Sequence, residues 1–317
     1  MAGIREQPLL TTVAELDNFV PERGSAYVFG ISGEERSAHS EAWQSRAVDV
    51  QFLRIVDQNR SDFTAEMDGT IRKFFLRSRD QLANFWRVTT CDLVYLDITG
   101  LSHHVWAPLL RSAIVAKRRV VGVYVEPGDY RPSSTPTESE IFDLSERIEG
   151  IAPIPGFASL VGITDRDSCF VPLLGFEGTR LAYLLEAVQP EGNKIVPIIG
   201  VPGFRPEYPF YTYQGNRAPL LETRAWRNVR FAQANCPFSL FYALQDIVAA
   251  FPRDLIKIAP IGTKPHALGA VLFAMASSRP VELVYDHPIR KSTRTAGTSR
   301  ILLYELSVLL STGMRPS

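Results

Sequence analysis

Residues Leu255–Pro288 read LIKIAPIGTKPHALGAVLFAMASSRPVELVYDHP, and the fold class rests on them. An apolar run, Leu255–Pro260, meets the polar turn Gly262-Thr263-Lys264-Pro265-His266. An apolar helical run follows (Ala267–Ala276), then Ser277-Ser278-Arg279-Pro280 and a second apolar run, Val281–Tyr285. Strand, loop, helix, strand is one βαβ unit. The loop after the first strand of such a unit lies at the carboxyl edge of a parallel sheet, where ligands bind. Gly262 lets a backbone approach closely, Thr263 offers a hydroxyl, Lys264 a cation, and the helix start its free N–H groups. Together these suit a phosphate or another anion.

Leu93–Pro127 reads as the same unit earlier in the chain. Leu93 aligns with Leu255, Gly100 with Gly262 and His104 with His266. After a one-residue gap, Glu126-Pro127 aligns with His287-Pro288. The expectation is two related halves, with chance likeness between two apolar units as the alternative.

The totals exclude several classes. A chain of 317 residues, 45% hydrophobic and 21% charged, has room for two globular domains. A formal net charge of zero argues against a non-specific nucleic-acid binder. Cys91, Cys169 and Cys236 are far apart, with no CxxC or Cys/His cluster, so neither a zinc site nor a disulfide framework is expected. No metal and no cofactor are expected. The opening MAGIREQPLL lacks the apolar core of a signal peptide, and no apolar run reaches the length of a membrane span. The expected location is a reducing cytoplasm.

In the first half, Val13–Phe19 reads as a short helix and Ala26–Phe29 as a strand running into Gly30-Ile31-Ser32-Gly33-Glu34-Glu35-Arg36. This GxxG spacing permits a tight turn beside a ligand; the other reading is an ordinary turn with a capping serine. Val48–Val56 has the β-branched content of a strand. Arg60–Arg87 reads as a charged helix burying Phe74, Phe75, Leu82 and Phe85. Asp97, Thr99, Ser102, His103 and His104 follow the strand Leu93–Asp97, and Pro108 suits the first turn of the next helix. Adjacent histidines point different ways, so His103-His104 is not a metal pair of the HExxH kind. Ser32 lacks the GxSxG elbow of a nucleophile. Asp97 would orient a histidine or cap a helix.

Asp129–Glu140, rich in Pro, Ser and Thr, reads as a linker, and Ile141–Asp167 as a bridging hairpin or irregular segment. The divisions are therefore 1–128, a bridge at 129–168, and 169–317. In the second half, Cys169–Leu174 reads as a strand ending in Gly175-Phe176-Glu177-Gly178-Thr179-Arg180, where the GxxG spacing recurs. Leu181–Val188 is a helix and Lys194–Ile199 a strand. Gly200–Arg217, with Phe204, Arg205 and Arg217, is a loop whose aromatics and arginines suit bases and phosphates; a rigid cover over a core edge is the other reading. Pro237–Ala250 is helical, Lys291–Arg300 a solvated basic loop or a phosphate contact, and Ile301–Leu310 a final strand or helix.

Gly262-Thr263-Lys264 after a strand, Ala267-Leu268-Gly269-Ala270 opening the helix, and the turn Gly175–Arg180 resemble the CRISPR-associated Rossmann-fold (CARF) sensor domains. They also resemble the related SAVED domains, in which two such units are fused. The resemblance implies an α/β fold of two tandem Rossmann-like halves forming a pseudo-dimer, with a cleft for a cyclic oligonucleotide signal. It implies that Thr263, Lys264, Thr179 and Arg180 face that ligand. The first half departs from the pattern: Thr99-Gly100-Leu101-Ser102-His103 has no lysine where the second half has Lys264. No separate segment is long enough for an effector, so a partner chain or a homo-oligomer is implied.

The ligand set expected from residues and resemblance is Gly30, Ser32, Gly33, Arg36, Thr99, Ser102, His103, Gly175, Glu177, Gly178, Thr179, Arg180, Phe204, Arg205, Arg217, Gly262, Thr263, Lys264 and His266. Three functions compete: a cytoplasmic nucleotide-signal sensor, possible in antiviral defence; an enzyme acting on a nucleotide or phosphodiester; and a scaffold. The enzyme would use His103, His104, His266, Glu34 or Glu177 as acid and base, with Lys264 stabilising charge.

Overall fold

The computed structural model describes residues 10–137, 140–159, 168–291 and 294–311. The reading of the first nine residues, and those parts of the linker, bridge and basic loop that fall in the gaps, lie outside them. The chain is mixed α/β. Its first part runs β1 (Thr11–Ala14), β2 (Ser25–Gly30), β3 (Val50–Gln58), β4 (Asp62–Met67), β5 (Thr70–Phe75), α1 (Arg79–Arg87), β6 (Leu93–Asp97), α2 (His103–Val115) and β7 (Arg119–Tyr130). Next come β8 (Ser145–Ile148), β9 (Ala152–Pro153), β10 (Ser168–Leu173), α3 (Gly178–Val188), β11 (Ile198–Gly200), α4 (Tyr208–Gly215), α5 (Arg217–Glu222), β12 (Arg230–Ala232) and α6 (Pro237–Ala250). The chain ends with β13 (Leu255–Pro260), α7 (Lys264–Ala276), β14 (Val281–Tyr285), β15 (Pro288–Arg290), β16 (Thr295–Glu305) and α8 (Leu306–Ser311).

The eight-stranded sheet has the order β1-β16-β7-β6-β2-β3-β4-β5, and the six-stranded sheet β12-β11-β10-β13-β14-β9. Both contain a parallel centre. In the first, β3, β2, β6 and β7 lie side by side in parallel. In the second, β11, β10, β13 and β14 do the same. The second parallel run extends one strand further, to β12 beside β11; leaving β12 out, both centres read 4-3-1-2 by chain order. One apolar cluster spans both sheets, taking Val28, Leu96 and Trp106 from one side and Leu173, Ile258, Leu268 and Phe241 from the other. Helix α7 is buried from Lys264 to Phe273, as its all-round apolar sequence requires. Among the described residues, no helix is long and apolar enough to cross a membrane.

Four sequence expectations change. Val13–Phe19 is not a helix: Thr11–Ala14 pairs with β16, and a short 3-10 turn follows at Leu16–Asn18. Residues 62–75 form a hairpin, with α1 confined to Arg79–Arg87. The cause is Asp68-Gly69, both at positive φ (49° and 74°), the turn that joins two strands with matching twist. Pro108 sits in the second turn of α2, because the helix starts at His103. The stretch 200–217 is not a loop, since α4 and the start of α5 occupy 208–217.

The chain's end also departs from a simple division into halves. Residues 294–300 are not a solvated loop. Arg294 is buried, and β16 inserts between β1 and β7 of the first sheet. Alternation drives this: Ile301 packs on one face of the sheet while Leu302 and Tyr304 enter the shared core on the other. The bridge 129–168 is likewise partly strand, with β7 running to Tyr130, β8 pairing β15 and β9 pairing β14.

Candidate functional site

The carboxyl ends of β2, β6 and β14 and the first residue of α7 open into one cleft of about 720 Å3. The turn after β2 supplies Ser32, Gly33 and Glu34, and the loop after β6 supplies Thr99 to His104. Lys264 comes from α7, and the segment after β14 brings His287, Arg290 and Arg294. The turns fit together at Gly30 and Gly100: a Cβ on Gly100 would lie 1.7 Å from the Gly30 carbonyl oxygen. The second sheet repeats the arrangement, with Gly262 against the Leu174 carbonyl, 2.6 Å from where its Cβ would be. Gly262 therefore admits a neighbouring backbone rather than a ligand.

Most of the charge expected to meet a ligand is used inside the protein. Lys264 is 8% exposed, and its ammonium donates to the carbonyl oxygens of Ile98, Thr99 and Leu101, at 2.7, 2.5 and 2.8 Å. Burial, then the charge of Arg36, pulls its pKa down, and Glu34 opposes this. Three carbonyl acceptors require three N–H donors, so the ammonium form is the one this geometry holds. Lys264 is a strut between the two sheets. Arg180 makes a bidentate pair with Asp286 (Nε to Oδ2 2.7 Å, Nη2 to Oδ1 2.6 Å) and donates to the Ile261 carbonyl. Arg36 donates to Glu34 and to the Val125 carbonyl, and Arg294 pairs with the same Glu34. Burial pushes the Glu34 carboxyl up, but Arg294 and Arg36 outweigh it and bring it down to about 2.

Other expected contacts are local as well. Thr263 caps α7, accepting from the His266 N–H and donating to the Ala234 carbonyl. His266 is buried with Nε2 on the Gln233 carbonyl, and burial brings its pKa to about 4. Glu177 accepts from the Leu144 N–H and the Ser145 hydroxyl. Arg205 binds Asp129 and the Gly128 carbonyl. Phe204 packs near Tyr124. Gly175, Glu177, Arg180, Phe204, Gly262 and Thr263 line a second, much smaller pocket of about 60 Å3, which shares Arg290 and Arg294 with the cleft. Thr179 and Arg217 are exposed and line neither cavity. Asp97 does orient a histidine, but it is the buried His39 (2.7 Å), away from the cleft lining.

The cleft groups not used inside the protein include Ser102 and His103 of the expected set, together with Arg60, from a stretch read as helix, and Arg290, which the expected set lacks. Arg290 makes one hydrogen bond, to the Tyr285 hydroxyl (3.2 Å), and no ion pair among the described residues. Among the described residues Arg60 reaches only the Glu149 carbonyl. Ser102 begins α2 in extended conformation but makes no side-chain cap; its N–H and hydroxyl both donate to Gln58 Oε1 at 2.8 Å. Its carbonyl accepts from the Val105 and Trp106 N–H groups, so those of His103 and His104 are the ones it leaves uncapped. His103 Nε2, His104 Nδ1 and His287 Nδ1 are buried without a hydrogen-bond partner. His103 stacks on Tyr285 (4.8 Å), and His104 lies 5.6 Å from His287. Burial, then the charges of His287 and Arg60, lowers His104 to about 4; burial and Arg60 lower His287. The lining carries Arg60, Lys264, Arg290, Lys291 and Arg294 against Glu34 and Glu149. Such a lining favours an anion. Among the described residues, no three His, Cys, Asp or Glu side chains form a group that could hold a metal.

No protein-family model matches this chain, and no curated protein matches it either.

Proposed function

We propose that the protein is a sensor whose signal is a nucleotide-type anion, of the cyclic oligonucleotide class, bound in the cleft between two Rossmann-like halves. In this reading the halves are an asymmetric tandem duplication, the ligand changes contacts with a partner or a second copy, and the setting is cytoplasmic and defensive. The single observation behind it is the pair Arg60 and Arg290, cations in a cleft of about 720 Å3 that form no direct ion pair among the described residues. The uncapped start of α2 and the matching strand order of the two sheets support it. Phosphates would sit against the arginines and the α2 start. The His104 ring would lie beside a base.

A thermal-shift screen against mono-, cyclic di- and cyclic oligonucleotides tests it. Saturating ligand at about a hundred times Kd adds about 2.7 kcal/mol, or roughly 5 °C or more for a chain this size. Arg290→Gln and Arg60→Gln each abolish the shift while keeping the unliganded midpoint. Chromatography returns the ligand intact. Conversion of the ligand would favour the enzyme reading, for which Ser102 and His104, 3.2 Å apart in the cleft, are a contact to invoke. No shift with any nucleotide would sink the sensor and leave the scaffold.

A further inference from the structure

On the opposite side of α2 from its cleft end, the outer faces of α1 and α2 and residues Gly156 and Ala158 enclose a groove of about 930 Å3. Its floor is apolar and nearly closed, made of Leu76, Leu82, Trp86 and Pro108, and Val115 stands at its edge. Trp86 is 1% exposed and its Nε1–H donates to Ser112 Oγ at 2.7 Å, so the floor offers no unused polar group there. Val115, by contrast, is 77% exposed on a well-formed helix. Five arginines rim the groove (Arg77, Arg79, Arg87, Arg111, Arg118), and no Asp or Glu lines it. The whole chain has 34 basic and 34 acidic residues, so this is a segregation of charge rather than a general excess.

The arginines divide by role. Arg118 donates to the carbonyls of Cys91, Trp86 and Thr89, and Arg111 to the Gly156 carbonyl while lying over the Phe157 ring. These two shape the wall. Arg77, Arg79 and Arg87 are exposed and form no ion pair among the described residues; Arg87 reaches only Asn84. Three free guanidiniums beside an apolar trough match carboxylates flanking an apolar stripe, and a trough between two helices matches a third helix in width.

We infer that this groove docks an acidic amphipathic helix of a partner protein. A nucleic acid would satisfy the arginines but leave the apolar floor wet, and no exposed aromatic ring lines the groove for a base to stack on.

The test is fluorescence anisotropy with the full chain and a fluorescein-labelled helical peptide of about 18 residues. The peptide carries leucines at i, i+3, i+4, i+7 spacing and glutamates on its flanks. Saturable binding is expected, at least about tenfold tighter than for a scrambled peptide of the same composition. Val115→Asp and the double variant Arg79→Glu/Arg87→Glu each weaken it about tenfold or more; all three positions are exposed, and unchanged circular dichroism checks that the variants fold. Equal binding of the scrambled peptide would reduce the groove to a charged surface and overturn the inference. So would absence of saturable binding, or a labelled single-stranded oligonucleotide that binds more tightly with the same arginine dependence.

Discussion

Lys264 and Arg290 are both cations at the same cleft, and their roles are opposite. Lys264 places all three N–H bonds on carbonyls of the loop after β6, whereas Arg290 spends one of five on a tyrosine hydroxyl. Removing Lys264 leaves three buried acceptors unpaired, so Lys264→Ala should cost about 3–5 kcal/mol in urea unfolding. Arg290→Gln should stay within about 1 kcal/mol of the parent in the same titration. If Lys264→Ala is neutral, the strut assignment is wrong. The sequence made Lys264 visible as a cation after a strand, but its partners are backbone carbonyls more than 160 positions away, on which side-chain chemistry leaves no mark. A second residue-scale prediction concerns acid. His104 and His266 are held neutral down to about pH 4, while unfolded histidines protonate near 6.5. The unfolded chain therefore binds more protons in this window. Stability is complete above about pH 6.5 and falls as pH drops through 4, by at most about 3 kcal/mol for each histidine. Glu34, lowered to about 2, adds a further loss that begins below about 4.5. Urea midpoints at pH 7, 5.5 and 4.5 should decline in that order, and His266→Gln should flatten the decline; a flat profile in the parent would contradict the buried neutral imidazoles.

At the scale of elements, the two units read from the sequence are both present, β6-α2-β7 and β13-α7-β14, because long apolar runs with a polar turn have few other foldings. The hairpin at 62–75 was hidden by the spacing of Phe74, Phe75, Leu82 and Phe85, which imitates a helical face. The signal that decides it is Asp68-Gly69, where two positive φ angles suit a hairpin and no helix. The stretch ending in Arg300 was misread for a related reason. Its polar residues belong to a strand whose buried apolar positions begin only at Ile301, so the apolar alternation arrives late. The close approach of the turns after β2 and β6 gives a third prediction. Gly100→Ala places a methyl carbon 1.7 Å from the Gly30 carbonyl oxygen, a contact between two backbones that no rotamer change relieves. It should lower stability by about 3 kcal/mol or more and disturb the cleft, since Thr99 and Ser102 flank it. Gly24→Ala is the comparison: nothing lies near its Cβ, so only its positive φ is strained. A Gly100→Ala midpoint no lower than that of Gly24→Ala would refute the close-approach argument.

At the scale of the whole molecule, four central parallel strands share one order in the two sheets, and the packing does not divide the chain at the boundary expected from the sequence. The sheets repeat a 4-3-1-2 centre, yet the second half returns β16 to the first sheet, between β1 and β7. Lys264 crosses from α7 to the loop after β6, and one apolar cluster joins α2 and β6 to α6, α7 and β13. None of these links is legible locally, because each depends on the two units being brought together first. The same links make the cleft a joint product: its arginines come from β3–β4 on one side and from the segment after β14 on the other. Independent halves would let that cleft open without unfolding; a shared core forbids it. The chain should therefore unfold in one cooperative step. Trp43, Trp86 and Trp106 all belong to the first part, and Trp226 alone reports on the second. In Trp226→Phe, fluorescence then follows only the first part while far-ultraviolet circular dichroism follows both. The two urea transitions should superimpose. A fluorescence midpoint separated from the dichroism midpoint would mean that β16 and Lys264 join two folding units without merging them, and the cleft would then be a hinge rather than a fixed seat for a ligand.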